Sequence, residues 1–325
     1  MGAFTNRTML LLAWSAVASS PAQAAGADFR LQPIGNGVWA AIVNDDGLGG
    51  ANAGFIIGEN GVLVVDTFSD PKPAKALLAE IRKLTKLPVR FVVNTHYHLD
   101  HVNGNDVFAA AGATIIAQRN VPGWMRTENL KMIEPPVTPE KRARVGSLTL
   151  PDIVYDGEID LYLGSRKIEI RSYPGHTGGD SVVSVPDAHV VFCGDLLWKR
   201  HVPNLIDART EDWIRTLDFM VANYKGSAWV PGHGGLARDQ GVRAFAGYLA
   251  DLRAEVRREQ QQGKSGESLV QALLPSRRSR YGKWRFFALY ACANMLETEQ
   301  ELSEKKTVPI AVDPACTSVH TVKRE

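Results

Sequence analysis

Cysteine is scarce in this chain: three in 325 residues, Cys193, Cys292 and Cys316. That excludes the disulfide framework which staples small secreted domains, so the fold rests on a buried apolar core. The composition allows one, since 45% of the residues are hydrophobic and 22% are charged, as in ordinary soluble globular proteins. Charge of one sign is lacking too. Lys and Arg number 37 against 35 for Asp and Glu, and this balance of +2 does not point to nucleic acid as the main partner. After the first two dozen residues no apolar run is long enough for a transmembrane helix. There is no internal repeat and no low-complexity linker. The length then implies one large domain, or a domain with an appendage.

The N-terminus reads as an export signal. Arg7 precedes a short apolar run from Met9 to Val17, Ser19-Ser20-Pro21 ends it, and Ala22-Gln23-Ala24 forms a small-x-small cleavage site. The run is too short to span a bilayer. No twin-Arg pair is present, and no Cys stands at the cut for lipid attachment. The expectation is a signal peptide over residues 1–24, removed to leave a soluble periplasmic or secreted chain. Cys292 and Cys316 either pair, leaving Cys193 free, or all three remain thiols with Cys193 buried.

Strand patterns occur at Val38–Val43, Ala53–Gly58, Gly61–Asp66 and Val89–Val93, with an amphipathic helix over Pro71–Leu84. The glycine-rich Asn44–Gly50 is either a mobile lid or a plain hairpin connection. A short helix suits Val107–Ala111. Residues 120–150 are less regular, with a helix around Trp124–Met132 and several prolines. Strands return at Ile153–Tyr155, Lys167–Tyr173, Ser181–Val185, Val190–Cys193 and Ala228–Val230, with helices over Glu211–Tyr224 and Gly241–Gln262. Two runs of strands, each leading into helices, predict a layered αββα sandwich of two similar halves. The tail from residue 263 differs: Ser276-Arg277-Arg278-Ser279-Arg280 is basic and reads as a solvated face, with contact to anionic lipid or a partner protein as the alternative, and Trp284–Glu304 reads as a helix.

The chemistry concentrates in His96-Tyr97-His98-Leu99-Asp100-His101, which follows the apolar Phe91-Val92-Val93. Three imidazoles and a carboxylate this close are costly to desolvate and fit metal binding. In extended backbone, alternate side chains point the same way, so His96 and His98 can grip one ion. Asp100 and His101 follow at the turn and can reach a second. Three later segments, Gly175-His176, Gly194-Asp195 and Gly232-His233, each place a His or Asp beside glycine at a strand end, where the backbone can turn sharply toward a ligand.

In this order, over roughly residues 35–240, the chain resembles the metallo-beta-lactamase superfamily. The resemblance implies an α+β, four-layer αββα sandwich over residues 25–262, with a C-terminal helical extension over 263–325. It implies one metal held by His96, His98 and His176, and a second held by Asp100, His101 and His233. Asp195 would bridge them, with Asp66 supporting the ligands from behind. The donors suit two divalent ions, zinc above all, and also iron or manganese. Such a pair acidifies a shared water, and the metal-bound hydroxide would attack the carbonyl of a small amide, lactone, ester or thioester, β-lactams included. Asp100 would orient the nucleophile and accept its proton. No serine or cysteine nucleophile is needed, and Cys193 reads as a buried strand residue. Trp198, His201 and Trp124 are candidates for the substrate wall, with core packing or a surface loop as the alternative. His189 and His320 read as exposed and uninvolved. The alternative function is iron-dependent sulfur dioxygenation, or an accessory role in periplasmic sulfur or quinoprotein metabolism. A small-molecule substrate, and not nucleic acid, is the expected partner.

Overall fold

The structure is a computed structural model that describes residues 28–44, 49–132 and 136–307. Residues 1–24, the centre of the glycine-rich loop, Cys316 and His320 lie outside that range.

One sheet runs in sequence order through seven strands: β1 (Phe29–Gly35), β2 (Val38–Val43), β3 (Ala53–Ile57), β4 (Val62–Val65), β5 (Val89–Val93), β6 (Thr114–Gln118) and β7 (Ile153–Tyr155). Its first four strands pair antiparallel and the rest parallel. The second sheet has β8 (Glu158–Leu163), β9 (Arg166–Ser172), β10 (Ser181–Val185), β11 (Val190–Trp198) and β12 (Ala228–His233), in the order β12-β11-β10-β9-β8. Only β11 and β12 pair in parallel there. The helices are α1 (Pro71–Leu84), α2 (Leu99–Val102), α3 (Asn105–Ala110), α4 (Val121–Thr127), α5 (Pro139–Gly146), α6 (Thr210–Asn223), α7 (Asp239–Gln261), α8 (Gly266–Tyr281) and α9 (Phe287–Leu302).

Three apolar layers hold these elements in the αββα order. Leu77, Leu78 and Ile81 of α1 pack with Phe55, Val64 and Val92 on the outer face of the first sheet. Ile56, Leu63, Val93, Ile170, Val183 and Phe192 fill the space between the sheets. Leu217, Phe245, Leu249, Leu269 and Met295 cover the outer face of the second. Each such side chain, fully buried, contributes about 1.5–3 kcal/mol. All nine residues of β11 are buried because both faces of that strand are covered. Helix α1 starts where its sequence says it should: the Asp70 carboxylate accepts from the Lys72 amide at 2.8 Å, Pro71 follows, and Arg82 and Lys83 close the last turn.

The tail departs from expectation. The basic run lies inside α8 and is not wholly solvated: Arg277 is buried between the rings of Tyr248 and Tyr281, 4.6 and 4.5 Å from their centroids, and faces Glu255. Arg280 pairs with Asp251 at 3.0 Å. Cys193 is buried, as expected, and Cys292 is exposed on α9. His189 is exposed as well. Among the described residues no helix is long and apolar enough to cross a membrane.

Candidate metal centre

The first sheet delivers the histidine run. Strand β5 stops at Val93, and Asn94 is fixed by reciprocal amide bonds with Asn105 of 3.0 and 2.9 Å. Residues 95–97 bend out of the sheet, so the run is less extended than the alternation argument assumed. His98 is still extended and caps α2, whose single turn carries Asp100 and His101. Asp66, just past β4, adopts φ +58°, a left-handed conformation that costs a non-glycine residue about 1–2 kcal/mol. Its carboxylate accepts from the Thr95 amide at 2.8 Å and the Thr95 hydroxyl at 2.7 Å, and lies 2.7 Å from His101 Nδ1. That contact keeps a proton on Nδ1 and leaves Nε2 of His101 as the nitrogen that faces inward.

The second sheet delivers the rest. His176 stands between β9 and β10, in a turn closed by Asp180, which accepts from the Thr177 amide and hydroxyl at 2.7 and 2.5 Å. Asp195 lies inside β11, and His233 ends β12. Close backbone approach makes two glycines necessary. A side chain at Gly194, where φ is +49°, would strike Thr95, and one at Gly232 would strike Asp195 Oδ1. Asn52 binds the two halves together: its amide donates to the carbonyls of Pro231 and Gly234, both at 2.8 Å, and its backbone amide donates to Gly232 at 2.7 Å. The Ser181 amide donates to Thr95 across the same seam at 2.7 Å.

All seven predicted donors converge. His96, His98, His176 and Asp195 form one group, and Asp100, His101 and His233 a second, each with its donor atoms within 4.8 Å of one another. His98 Nδ1 lies 3.0 Å from both His96 Nε2 and His176 Nε2. Asp195 stands between the groups. Its Oδ2 is 3.3 Å from His176 and 3.7 Å from His96, while its Oδ1 is 3.2 Å from His101 and 3.3 Å from His233. His233 Nε2 is also 3.3 Å from Asp100. Yet His101 Nε2, His233 Nε2 and Asp195 Oδ1, all buried, have no aligned hydrogen bond. Leaving such atoms unpaired costs about 1–3 kcal/mol each, and a cation among them removes that cost. The residues therefore fit a divalent metal, and imidazole with carboxylate is a donor set that zinc, iron and manganese accept.

Electrostatics divide the cluster. Burial, with the charge of His101 and His98 nearby, holds His96 well below the ordinary imidazole range, and burial lowers His176 to about 3. For His101 and His233 burial acts in the same direction but is outweighed by carboxylates. Asp195, Asp66 and Asp100 push His101 well up, and Asp195 with Asp100 raises His233 to about 9. Burial likewise opposes ionisation of the acids, but the imidazoles win. His101 and His233 bring Asp100 down to about 2, and His233 and His101 hold Asp195 well below its ordinary value.

The candidate wall residues separate. The Trp198 ring stacks on His233 at 3.9 Å. His201 lies 6.4 Å from His233, with Nδ1 bonded to the Lys199 carbonyl at 2.8 Å. Trp124 is buried in a core cluster with Val121 and Met125, its ring 5.7 Å from Tyr97 and against Gly178. Sequence reasoning missed several neighbours. Asp207 lies 3.9 Å from His98 Nε2 and accepts a hydrogen bond from the Tyr97 hydroxyl. Phe286 and Tyr290, from the tail, lie over the His233 side: the Phe286 ring is 6.1 Å from His233, and Tyr290 packs on Phe286 at 5.9 Å. None of these sits in a recognisable local pattern.

Comparison with known proteins agrees with this geometry. Two curated relatives are a hydroxyacylglutathione hydrolase of Brucella anthropi, 28% identical over 183 residues, and a linear primary-alkylsulfatase of a Pseudomonas species, 21% identical over 209 residues. The matches take in 53% and 54% of this chain, and span 60% and 39% of those relatives. Among solved structures, a metallo-beta-lactamase from Pontibacter korlensis superposes with a TM-score of 0.57 at 21% identity, covering 68% of this chain and 99% of its own. The DIM-1 metallo-beta-lactamase gives 0.55 at 18% identity, covering 69% and 98%. These two show the shared sandwich. The profile of the metallo-beta-lactamase superfamily matches residues 46–242, a span that takes in every donor of both groups. The chain belongs to the metallo-beta-lactamase superfamily.

Proposed function

We propose that this chain is an exported dinuclear metallohydrolase that attacks the carbonyl carbon of a small amide, lactone, ester or thioester, β-lactams among them, and breaks its bond to the nitrogen, oxygen or sulfur that leaves. In this reading residues 1–24 are an export signal, 25–262 the catalytic domain and 263–325 a helical extension, and the mature protein works in the periplasm or outside the cell. His96, His98 and His176 would hold one divalent ion, Asp100, His101 and His233 would hold the other, and Asp195 would contribute to both. The single observation that carries the reading is the placement of Asp195, with Oδ2 toward one imidazole group and Oδ1 toward the other. Bound there, the ions would supply an acidified water and an electrophile for the carbonyl oxygen.

The protein's own groups complete the chemistry. Asp100 has a side chain 30% exposed, against 2% for Asp195, so it is the carboxylate that meets incoming substrate. Ionised at working pH, its carboxylate accepts the proton of the attacking water and returns it to the leaving group. Asp66 fixes the His101 tautomer, and Asp207 takes the same position behind His98. Trp198 covers the His233 ring and keeps water off it. Relatives named as hydrolases and a sulfatase support turnover rather than mere binding.

The test is a panel of nitrocefin, homoserine lactones, thioesters and p-nitrophenyl esters on mature protein of measured metal content. Turnover of at least one class, abolished by chelation and restored by zinc, is expected. Failure on every class with both ions present would reject hydrolysis. Oxygen uptake with a persulfide substrate would put iron dioxygenation in its place.

A further inference from the structure

The C-terminal extension does more than cover the second sheet. The backbone at Arg285 is joined to the loop after β11: its amide donates to Arg200 at 3.1 Å, its carbonyl accepts from Val202 at 2.9 Å, and it forms a bridge with His201. Asn294 of α9 donates to Pro203 at 2.8 Å and ties the same loop again. Phe286, directly after Arg285, adopts φ +62°. A bulky side chain in that left-handed region persists only where its surroundings fix it, and such residues gather at ligand clamps. Its half-buried ring stands 5.4 Å from His201, 6.1 Å from Trp198, 6.1 Å from His233 and 5.9 Å from Tyr290, each at a steep angle. The Trp198 indole N–H is buried and has no acceptor among the described residues. Tyr290, half-buried, packs on Phe286 at 5.9 Å and so stands behind the ring that lies 6.1 Å from His233; burial, with the charges of Asp100 and Asp195, raises its phenol to about 12. The hydroxyl therefore stays a hydrogen-bond donor at any working pH.

We propose that the extension supplies the substrate-selecting wall beside the Asp100–His233 side, where Phe286 packs on an aromatic ring of the substrate and the Tyr290 hydroxyl donates to a substrate oxygen. An aromatic guest is the class favoured because the groups around Phe286 are themselves rings, and edge-to-face packing among rings adds to plain apolar burial. The proposal rests on the hydrolase reading, which makes the carboxylate product a ligand.

It is tested by calorimetric titration of zinc-loaded full-length mature protein with phenylacetate, hexanoate and acetate, which needs no turnover. The wild type is expected to bind phenylacetate at least tenfold more tightly than either of the others. Phe286→Gly, which relieves the left-handed strain and so retains the fold, should bring that preference to within twofold at unchanged zinc content. Phe286→Tyr should restore it, and Tyr290→Phe should weaken all three carboxylates together. Equal binding of hexanoate and phenylacetate by the wild type, or a preference that survives in Phe286→Gly, would overturn the wall. Selective binding by a protein that hydrolyses nothing would leave the wall standing and sink the hydrolase reading instead.

Discussion

Asp66 lies behind the reacting region, yet it sets which nitrogen of His101 faces inward. Asp66→Asn removes the charge that holds the Nδ1 proton, and metal affinity of the second group should fall about 10–100-fold with the fold retained. Competition with a coloured chelator measures this, and an unchanged affinity would contradict the role. Asp100→Ala should lower kcat by about 10²–10⁴ through loss of the proton acceptor, besides weakening the second ion. Steady-state rates at saturating metal separate the two effects, and undiminished kcat would reject the assignment. At this scale the sequence was most readable where chemistry is local. The run at residues 96–101 and the glycine-linked His176, Asp195 and His233 carry their own signal. Asp207 carries none, because its partner Tyr97 is 110 positions away and only folding brings them together. Asp66 could be assigned only through the family resemblance, since nothing in its neighbours marks it.

Among the elements, Asn52 has the clearest mechanical task. It sits just before β3 and holds the loop that presents His233, accepting from the Val43 amide at 3.0 Å while donating to two carbonyls. Asn52→Ala leaves those three backbone groups without their partner, so stability should drop by about 1–3 kcal/mol. Occupancy of the second ion should fall with it. Urea unfolding and metal analysis of the same sample check both, and a loss of stability with full occupancy would show that the clamp does not position His233. Strands and helices were legible where one period dominates. The limits of α1, β5, β7 and β10 come out as read, because strong apolar runs are bounded by proline, glycine or a capping residue. Strands β1, β6 and β8 were missed: β1 and β8 have mixed burial and charged residues in the pattern, and β6 is an apolar run too short for its period to mark it as strand. Helix α8 was hidden by Pro275 inside it and by its arginines, which looked like a solvated run although Arg277 packs between two tyrosines. The packing partner of a charged side chain lies elsewhere in the chain, and no local window contains it.

For the whole molecule, protons and metal compete for the same nitrogens. Without an ion His233 titrates at about 9, above the free imidazole value, so its pairing with Asp195 and Asp100 stabilises the ion-free fold fully below about pH 6.5. That contribution is lost as pH rises through 9. An ion needs the neutral ring, so metal affinity should rise with pH over the same window, by up to tenfold per unit for each proton released. Thermal unfolding with and without chelator should therefore show a gap that widens from pH 6.5 to 9. A gap that narrows would mean that metal does not displace the His233 proton. The sandwich makes this coupling global, because the donors of the two groups come from both sheets.

The most direct test is a count of metal per chain by mass spectrometry after dialysis against trace zinc, on wild type, His98→Ala and His233→Ala. Two ions in the wild type, with each variant losing the ion of its own group while Asp195 remains in place, is the result expected. A wild type that retains no transition metal, or variants that hold as much as the parent, would contradict the account at its centre.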